Sequence, residues 1–388
     1  MGDAEAALTG RHVDDVTGSF PGLSPGILHA TTPDGGVVYD LVTERLSFLN
    51  ATGAAVCESC ARRTDQSAWI HDWAAATGMP DDRIRHDLDM ALDAFHDAGF
   101  LGRTDPLPKI YPPDAPVTAL REGERTTTQA AGVHRIRFRS RDAALVAAVD
   151  DLLGLGIDEP PTAEFHLVAD EHGAIRLVTD TEWRFGGVDE LIGSLVTVVN
   201  DFVARTTTDV VLHAAALRTP GGSTVVFPAA PGSGKSTLAG HLLQQGWAYL
   251  GDESATIRAG DLAVVPCAKP LDLDEVSCAA LGLPARIAGD VPVTAVARSA
   301  SIVRDPAPAP MAVVSPRYVG PNGEPASATL DFTDALVDCV GHTLNLRYVG
   351  SAGLASLVGL ATRVPVHVIT YRSGDEAVAR LAALGIDS

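Results

Sequence analysis

The chain has 388 residues and a formal net charge of −20, with 46% hydrophobic and 20% charged residues. This length is too great for one ordinary core, so two or three domains are expected, and the acidic balance argues against nucleic acid as a partner. The N-terminus lacks the basic start and apolar core of a signal peptide, and no stretch approaches the ~20 apolar residues of a membrane-spanning helix. The sequence therefore predicts a cytoplasmic protein with no membrane partner.

The five cysteines are an odd number with scattered spacing, which shows no disulfide framework. Cys57 and Cys60 form a lone CxxC inside a helical pattern, without a second cysteine pair, a histidine or a βαβ context. Structural thiols are therefore favoured over a metal or redox site.

The N-terminal part of the chain has the pattern of a small α+β module. Residues 1–25 are small, polar and glycine-rich and are expected to form a flexible arm. The module, 26–103, contains a tight hairpin and three helices, of which the first is capped by Asn50 and the last is ended by Gly99. The predicted strands are 37–41 and 45–49, and the second and third helices are 66–77 and 81–98.

A proline-rich linker separates this module from the rest of the chain. Five prolines fall within residues 104–116 and keep the chain extended, so the linker is placed at 104–126. Strand-like runs and one apolar helix then predict an α+β lobe over 127–205, which packs on the following domain and has no chemistry assigned to it. Residues 206–388 are predicted to form an α/β P-loop domain that closes with a strand and a helix.

Residues 229–237 have the composition of a phosphate-binding loop. They fit the pattern GxxxxGK[ST] between a strand and a helix, except that Ala229 replaces the first glycine. An alanine is compatible with the motif if its φ is negative, whereas Gly232 and Gly234 are expected at positive φ. A glycine-rich turn before a core helix is the alternative interpretation, and the intact flanks and the Lys-Ser-Thr end of the motif argue against it.

The motif assigns specific roles within the loop. Lys235 is expected to hold the β and γ phosphates of ATP, and the hydroxyl of Ser236 to complete the shell of Mg²⁺. Backbone N–H groups and the helix N-terminus supply the remaining positive potential. The predicted nucleotide-binding residues are Pro231, Gly232, Ser233, Gly234, Lys235, Ser236 and Thr237.

Asp252 and Glu253 end a short strand that follows the loop helix. In phosphoryl transfer one carboxylate can orient the attacking hydroxyl and another can hold Mg²⁺. Because successive strand residues point to opposite faces, the two are expected to divide these roles. His213 lies in an apolar strand predicted over 210–217, next to the loop strand, and by itself such a histidine is an ordinary core residue.

Residues 206–388 resemble the HPr kinase/phosphorylase superfamily, particularly the shorter HPr-kinase-like proteins encoded with peptide-modifying enzymes. The resemblance is carried by the segments 212–215, 231–238 and 246–253 in matching order, and more loosely by 268–271 and 342–345. The family's paired aspartates read Asp-Glu here. In that family the loop binds ATP and Mg²⁺, and the histidine and the first carboxylate serve the serine hydroxyl. The resemblance therefore implies His213 and Asp252 as catalytic residues beside Lys235, and Glu253 as a metal ligand with Ser236.

Residues 37–103 resemble the PqqD-like precursor-peptide recognition module, through 39–41, 49–53 and 98–101. The family has a winged-helix fold that adds a leader peptide as an extra strand beside the last helix. The resemblance places the groove on the strand 45–49 and on the helix face that carries Arg83, Asp87, Met90 and Asp93.

Together the two resemblances imply an ATP- and Mg²⁺-dependent kinase that binds the leader of a ribosomally made precursor peptide and phosphorylates a serine or threonine in its core. Other peptide-modifying enzymes of the same pathway are implied as partners, and a homo-oligomer is allowed because relatives of the kinase domain often form hexamers. Two alternatives stay open: a nucleotide-binding leader-peptide adaptor without transfer, and a P-loop hydrolase or small-molecule kinase.

Overall fold

The computed structural model describes residues 18–107, 113–154, 156–179, 181–267, 269–284, 289–297 and 301–386, and the chain divides into two compact units, 1–109 and 110–388. The division falls within the predicted linker. Residues 1–17 of the predicted arm, 108–112 of the linker and Ala268 lie outside the described residues. None of the helices in the described ranges has both the length and the apolar character that a membrane crossing requires.

The N-terminal unit is a three-stranded antiparallel sheet followed by three helices. Its elements are β1 (Ile27–Thr32), β2 (Gly35–Asp40), β3 (Arg45–Asn50), α1 (Ala51–Arg62), α2 (Gln66–Thr77) and α3 (Asp81–Asp97). The strands run in the order β1-β2-β3. The bounds of β2, β3, α2 and α3 and the start of α1 agree with the prediction within two residues, whereas β1 is not predicted. The side chain of Asn50 accepts a hydrogen bond from the N–H of Gly53 at 2.8 Å, which confirms the predicted N-cap.

Residues 18–25 belong to the core of this unit and not to a flexible arm. Phe20 is 2% exposed, and its ring packs edge-on against Trp69 with a centroid distance of 5.7 Å. The N–H of Phe20 donates to the carbonyl of Thr64, and the N–H of Ser24 donates to that of Phe100, both at 2.8 Å. The single aromatic residue in a stretch of small and polar residues is therefore what anchors it.

Cys57 and Cys60 are both buried in α1 and face the core of the N-terminal unit. Burial raises the pKa of each thiol to about 12, so the thiolate needed for metal binding or redox chemistry is disfavoured. This environment agrees with the structural interpretation of the CxxC pair.

The larger unit begins with a five-stranded sheet and two helices. Its elements are β4 (Arg125–Ala131), β5 (His134–Ser140), α4 (Ala143–Leu153), β6 (Ala163–Ala169), β7 (Ile175–Val178), β8 (Glu182–Phe185) and α5 (Val188–Thr206). The strand order is β4-β5-β6-β7-β8, and α4 connects the one parallel pair, β5 and β6. Cys267, from the later part of the chain, joins the same core.

The end of the predicted linker is attached to this sheet. Thr118 donates its hydroxyl to Glu164 at 2.8 Å, and the N–H of Glu164 donates to the carbonyl of Ala115 at 3.1 Å. Arg139 donates to the carbonyl of Ala119 at 3.1 Å. The linker prediction is therefore too long at its C-terminal end, because the buried charges of β5 and β6 hold the segment in place.

The rest of the unit contains a six-stranded sheet of order β12-β10-β11-β17-β19-β18, a three-stranded sheet of order β14-β13-β9 and a two-stranded sheet of β15 and β16. The elements are β9 (Val210–Leu212), β10 (Ala214–Arg218), β11 (Thr224–Pro228), α6 (Lys235–Gln244), β12 (Ala248–Gly251), β13 (Ala255–Ile257), β14 (Val264–Val265), β15 (Leu271–Leu273), α7 (Glu275–Ala280), β16 (Gly289–Val291), α8 (Val293–Val296), β17 (Ala312–Tyr318), β18 (Ala326–Thr329), α9 (Phe332–Gly341), α10 (Leu346–Arg363), β19 (Val366–Tyr371) and α11 (Gly374–Ala383). Buried residues of α6 and α11 share one core with the larger sheet.

The chain passes twice between the three-stranded sheet and the six-stranded sheet, at neighbouring positions. Since β9 and β10 lie in different sheets, the predicted single strand 210–217 is wrong and is broken at His213. The second crossing, residues 252–254, joins β12 to β13. Because β10 pairs with β12 and β9 pairs with β13, the two crossings lie side by side.

Candidate active site

Residues 229–234 connect β11 to α6, and residues 235–237 of the predicted loop form the first turn of that helix. Gly232 and Gly234 have φ of 76° and 89°, as expected for them. A Cβ atom on Gly234 would lie 2.7 Å from the hydroxyl oxygen of Tyr371, which donates a hydrogen bond to the carbonyl of Gly234 at 3.0 Å. Ala229 is not among the described residues with positive φ, so the missing first glycine imposes no strain.

Lys235, at the start of α6, is 4% exposed and contacts both predicted carboxylates. Its Nζ donates to Asp252 Oδ1 at 2.6 Å and to Glu253 Oε1 at 2.5 Å. Burial by itself lowers the pKa of Lys235, but the two carboxylates outweigh burial and raise it above its ordinary value.

The prediction that Asp252 and Glu253 point to opposite faces is wrong, because both reach the same ammonium group. The strand β12 ends at Gly251, and Glu253 has a φ of 64°, so the alternation of a strand does not extend to these residues. A Cβ atom on Gly251 would lie 2.7 Å from the carbonyl oxygen of Cys267. This close backbone approach fixes where the strand stops and the turn begins.

His213 contacts Glu253, with 3.0 Å between its Nε2 and Oε2 of the carboxylate. The backbone of His213 is held on both sides: its N–H donates to the carbonyl of His342 at 2.7 Å, and its carbonyl accepts from the N–H of Ala229 at 3.2 Å. The pairing of β10 with β11 confirms that this residue neighbours the loop strand. The hydrogen-bonded partner of the histidine is thus the second carboxylate, whereas the resemblance couples it with the first, Asp252.

The two carboxylates differ in their surroundings. Burial would raise the pKa of Glu253, but the hydrogen bond with His213 and the charge of Lys235 lower it to about 2. The side chain of Glu253 is 27% exposed. Asp252 is fully buried, and its Oδ2 has no hydrogen-bond partner among the described residues. Glu253 is therefore the carboxylate that a solute can reach. Asp252 is the carboxylate with an oxygen, Oδ2, that accepts no hydrogen bond from the described residues.

A cavity of about 190 Å³ opens over the loop. The predicted site residues that line it are His213, Pro231, Gly232, Ser233, Gly234, Lys235, Ser236, Thr237 and Glu253. Asp252 does not line it and reaches the site only through Lys235. Asp272, Asp274 and Ser277 line it as well, although they were not predicted. Their signal in the sequence is the Asp-Leu-Asp alternation directly after the segment 268–271.

A larger cavity of about 440 Å³ adjoins the first and shares Gly232, Gly234 and Thr237 with it. Tyr318 and Tyr371, at the ends of β17 and β19, form part of its wall, with 6.0 Å between their ring centroids. No local pattern marks these tyrosines, because only the pairing of distant strands brings them to the loop.

Acidic residues dominate the rim of the smaller cavity. Asp272 on β15 lies opposite Asp290 on β16, and burial, reinforced by the charges of Asp272 and Glu253, raises the pKa of Asp290 to about 6. Burial and the charges of Glu253 and Asp252 raise the pKa of Asp272 as well. An anion in this cavity therefore needs positive charge beside it. Within the described residues no group of three or more His, Cys, Asp and Glu side chains could hold a metal by itself.

Comparisons with known proteins add little to this geometry. No family model and no curated protein matches the chain. The solved structure of the Hpr(Ser) kinase/phosphatase from Coxiella burnetii is a weak neighbour, with 14% identity and a TM-score of 0.26 over 45% of this chain and 97% of that one. A likeness at this level supports no functional conclusion.

Proposed function

We propose that this protein is an ATP-dependent kinase that phosphorylates a serine or threonine hydroxyl of a peptide. The observation that carries the proposal is the contact network of the loop lysine: Lys235 binds Asp252 and Glu253, and Glu253 also binds His213 at the wall of the cavity. A phosphate-binding lysine, an accessible carboxylate and a histidine therefore meet within hydrogen-bond distance, as in-line transfer to an alcohol requires.

The two adjoining cavities accommodate a nucleoside triphosphate. The smaller one is surrounded by the backbone of Gly232–Ser236 and the N-terminus of α6, which favour the phosphates. The larger one, with the tyrosine wall, receives the nucleoside. The ring of Tyr318 is available for stacking because this residue is 48% exposed.

Ser236 lines the cavity that would hold a magnesium ion, whereas Asp252 is fully buried behind Lys235 and would reach the ion only after Lys235 moves toward the phosphates. Both oxygens of Glu253 are engaged, one by Lys235 and one by His213, whereas Oδ2 of Asp252 has no partner among the described residues. Carboxylate and hydroxyl oxygens are the ligands that Mg²⁺ prefers, and it is bound by few protein ligands plus substrate phosphates. When bound, the ion neutralises charge on the phosphates, which the acidic rim of the cavity makes necessary.

Glu253 is the group that accepts the proton of the attacking hydroxyl. The hydroxyl oxygen bonds to the γ-phosphorus, the bond from phosphorus to the ADP oxygen breaks, and the hydroxyl proton passes to the carboxylate. Triphosphate draws Lys235 toward the phosphates and weakens its contact with Glu253. Because that contact lowers the pKa of Glu253, its loss makes the carboxylate a better base at the moment of transfer.

The N-terminal unit would bind the leader segment of the peptide by adding a strand to β3. Among the described residues β3 pairs only with β2, so its other edge is free to accept main-chain hydrogen bonds. Phe48 on β3 and Met90 on α3 are 41% and 60% exposed and supply apolar side chains for such contacts.

The test is incubation of the protein with Mg²⁺, ATP labelled at the γ-phosphate and an arrayed library of serine- and threonine-containing peptides. Label on hydroxyl-bearing peptides that is lost in Glu253→Gln supports the proposal. Nucleotide binding without label transfer supports the adaptor instead, and release of free phosphate without any labelled peptide supports the hydrolase.

A further inference from the structure

The lobe helix α5 reaches the turn that carries Glu253 through three polar side chains. Oδ1 of Asn200, in α5, accepts hydrogen bonds from the hydroxyl of Ser254 at 3.1 Å and from the ammonium group of Lys269. Lys269 Nζ also donates to Ser254 Oγ at 2.7 Å. Asn200, Ser254 and Lys269 are called the Asn200 cluster below.

Lys269 gives the Asn200 cluster its rigidity. It is 2% exposed, and no carboxylate of the described residues lies within ion-pair distance of its ammonium group. The nearest acidic group that its charge acts on, Asp290, lies beyond contact distance, so the buried ammonium depends on its two hydrogen-bond acceptors, and these oxygens cannot move away freely. The other end of Lys269 is fixed too, because its carbonyl accepts from the hydroxyl of Tyr249 at 2.6 Å.

Glu253 needs such support. Its φ of 64° is a conformation that L-residues rarely adopt, and it persists only when the surroundings determine it. Ser254 is the next residue, is 1% exposed, and leads directly into β13. The contacts of Ser254 therefore fix the chain on one side of Glu253, as the close approach of Gly251 to Cys267 does on the other.

We infer that Asn200 is a positioning residue: through Ser254 and Lys269, the lobe holds Glu253 in the geometry required for phosphoryl transfer. This inference rests on the proposed kinase function for its catalytic meaning. It gives the residues 127–205 a role that their sequence did not indicate, because one of the two acceptors of the buried ammonium group, Oδ1 of Asn200, comes from the lobe, while the other, Oγ of Ser254, belongs to the P-loop domain.

The test compares Asn200→Ala with Asn200→Asp, which keeps an acceptor oxygen. Ser254→Ala is a milder variant that leaves Lys269 bound to Asn200, and Asp201→Ala, an exposed change on the same helix, is the matched control. Three quantities are measured in the full-length protein: amide hydrogen exchange over residues 249–257, the Kd for Mg²⁺ and a non-hydrolysable ATP analogue, and kcat and KM for a peptide taken from the library.

In Asn200→Ala, exchange over 249–257 is expected to rise about tenfold and kcat to fall about tenfold or more, while the nucleotide Kd stays within about threefold. Ser254→Ala is expected to change exchange and kcat in the same directions by a smaller factor. Asn200→Asp restores both, and Asp201→Ala changes neither. Unchanged exchange in a folded Asn200→Ala protein would overturn the inference, and so would an equal loss of nucleotide affinity and kcat. If the unaltered protein labels no peptide, the proposed function fails, and the exchange result alone decides whether Asn200 orders the turn.

Discussion

At the scale of single residues, Lys235 is the centre of the site, and both of its carboxylate partners lie within 2.6 Å of its ammonium group. Under the proposed function, a triphosphate would compete with these two carboxylates for one buried ammonium group. The two carboxylates also explain how a charged side chain is stable at 4% exposure. Glu253 also connects Lys235, which is proposed to bind phosphate, with His213 at the cavity wall, where the attacking hydroxyl is proposed to bind.

Replacing Glu253 by Gln removes the proposed proton acceptor and keeps the shape of the side chain. We expect kcat for peptide phosphorylation to fall by about 10²-fold or more, with the nucleotide Kd changed only a few-fold, because the phosphates contact the loop and not this carboxylate. Steady-state kinetics and calorimetric titration measure the two effects. Asp252→Asn is the matched variant: it should weaken Mg²⁺-dependent nucleotide binding, and a result in which only Asp252→Asn lost kcat would reverse the two roles.

Asp290 is expected to lower the free energy of unfolding as the pH rises, whereas an acid in a salt bridge raises it. The fold raises its pKa from 3.8 to about 6, so the native protein takes up this proton before the unfolded chain does. The charged carboxylate therefore costs stability above pH 6, and the cost disappears as the pH falls toward 3.8.

Asp290→Asn is accordingly expected to raise the midpoint of thermal unfolding at pH 8 and to leave it nearly unchanged near pH 4. Asp305→Asn, a change at an exposed aspartate, serves as the control and should have no effect at either pH. A stabilisation by Asp290→Asn that is equal at both values would contradict the raised pKa.

At the scale of elements, the phosphate loop depends on Gly234 for two separate reasons. Its φ of 89° disfavours any Cβ, and a Cβ would lie 2.7 Å from the hydroxyl of Tyr371. Gly222 has a similar φ of 92° in a turn with open space around it. A comparison of alanine variants at Gly234 and Gly222 therefore distinguishes the effect of backbone strain from the effect of loop packing.

Gly234→Ala and Gly222→Ala should each destabilise the protein by about 1 kcal/mol from the left-handed backbone alone. Only Gly234→Ala should also weaken nucleotide binding, by tenfold or more, because the loop must shift away from Tyr371. Chemical denaturation and nucleotide titration measure the two properties. Equal nucleotide affinities in the two variants would mean that the packing of the loop on Tyr371 has no role in binding.

Elements whose signal is local could be predicted from the sequence, and those that depend on tertiary pairing could not. The helix Gln66–Thr77 follows from its periodicity, and the loop 229–237 from its glycines and lysine. The break at His213 was missed because an apolar run does not show that its two halves belong to different sheets. The prediction that Asp252 and Glu253 point to opposite faces is wrong for a related reason: a sequence does not show the positive φ of Glu253, which turns both carboxylates toward Lys235.

At the scale of the whole molecule, the two units have separate cores. The N-terminal core contains Phe20, Val56 and Leu88, and all of its members fall within residues 20–101. The cores of the larger unit draw their members from residues 115–386. Each unit therefore buries its own apolar surface, which is the condition for independent folding.

Separate expression of residues 1–109 and 110–388 is expected to give two folded proteins, each with its own cooperative thermal transition. The larger fragment should keep the nucleotide affinity of the full chain within a few-fold and lose most of its preference among peptides. A larger fragment that binds nucleotide tenfold more weakly would show that the N-terminal unit contributes to the phosphate site. Circular dichroism and titration of both fragments beside the intact chain supply the comparison.

The central claim is that the backbone of the loop and Lys235 bind the phosphates of a nucleoside triphosphate. Calorimetric titration of the full-length protein with Mg²⁺ and a non-hydrolysable ATP analogue tests it most directly, with Lys235→Ala measured in parallel and its fold checked by circular dichroism. We expect one site per chain in the unaltered protein and a loss of affinity of about 100-fold in the variant, since a charge-assisted contact to phosphate is removed. Equal affinities in the two proteins, or no binding in either, would contradict the account.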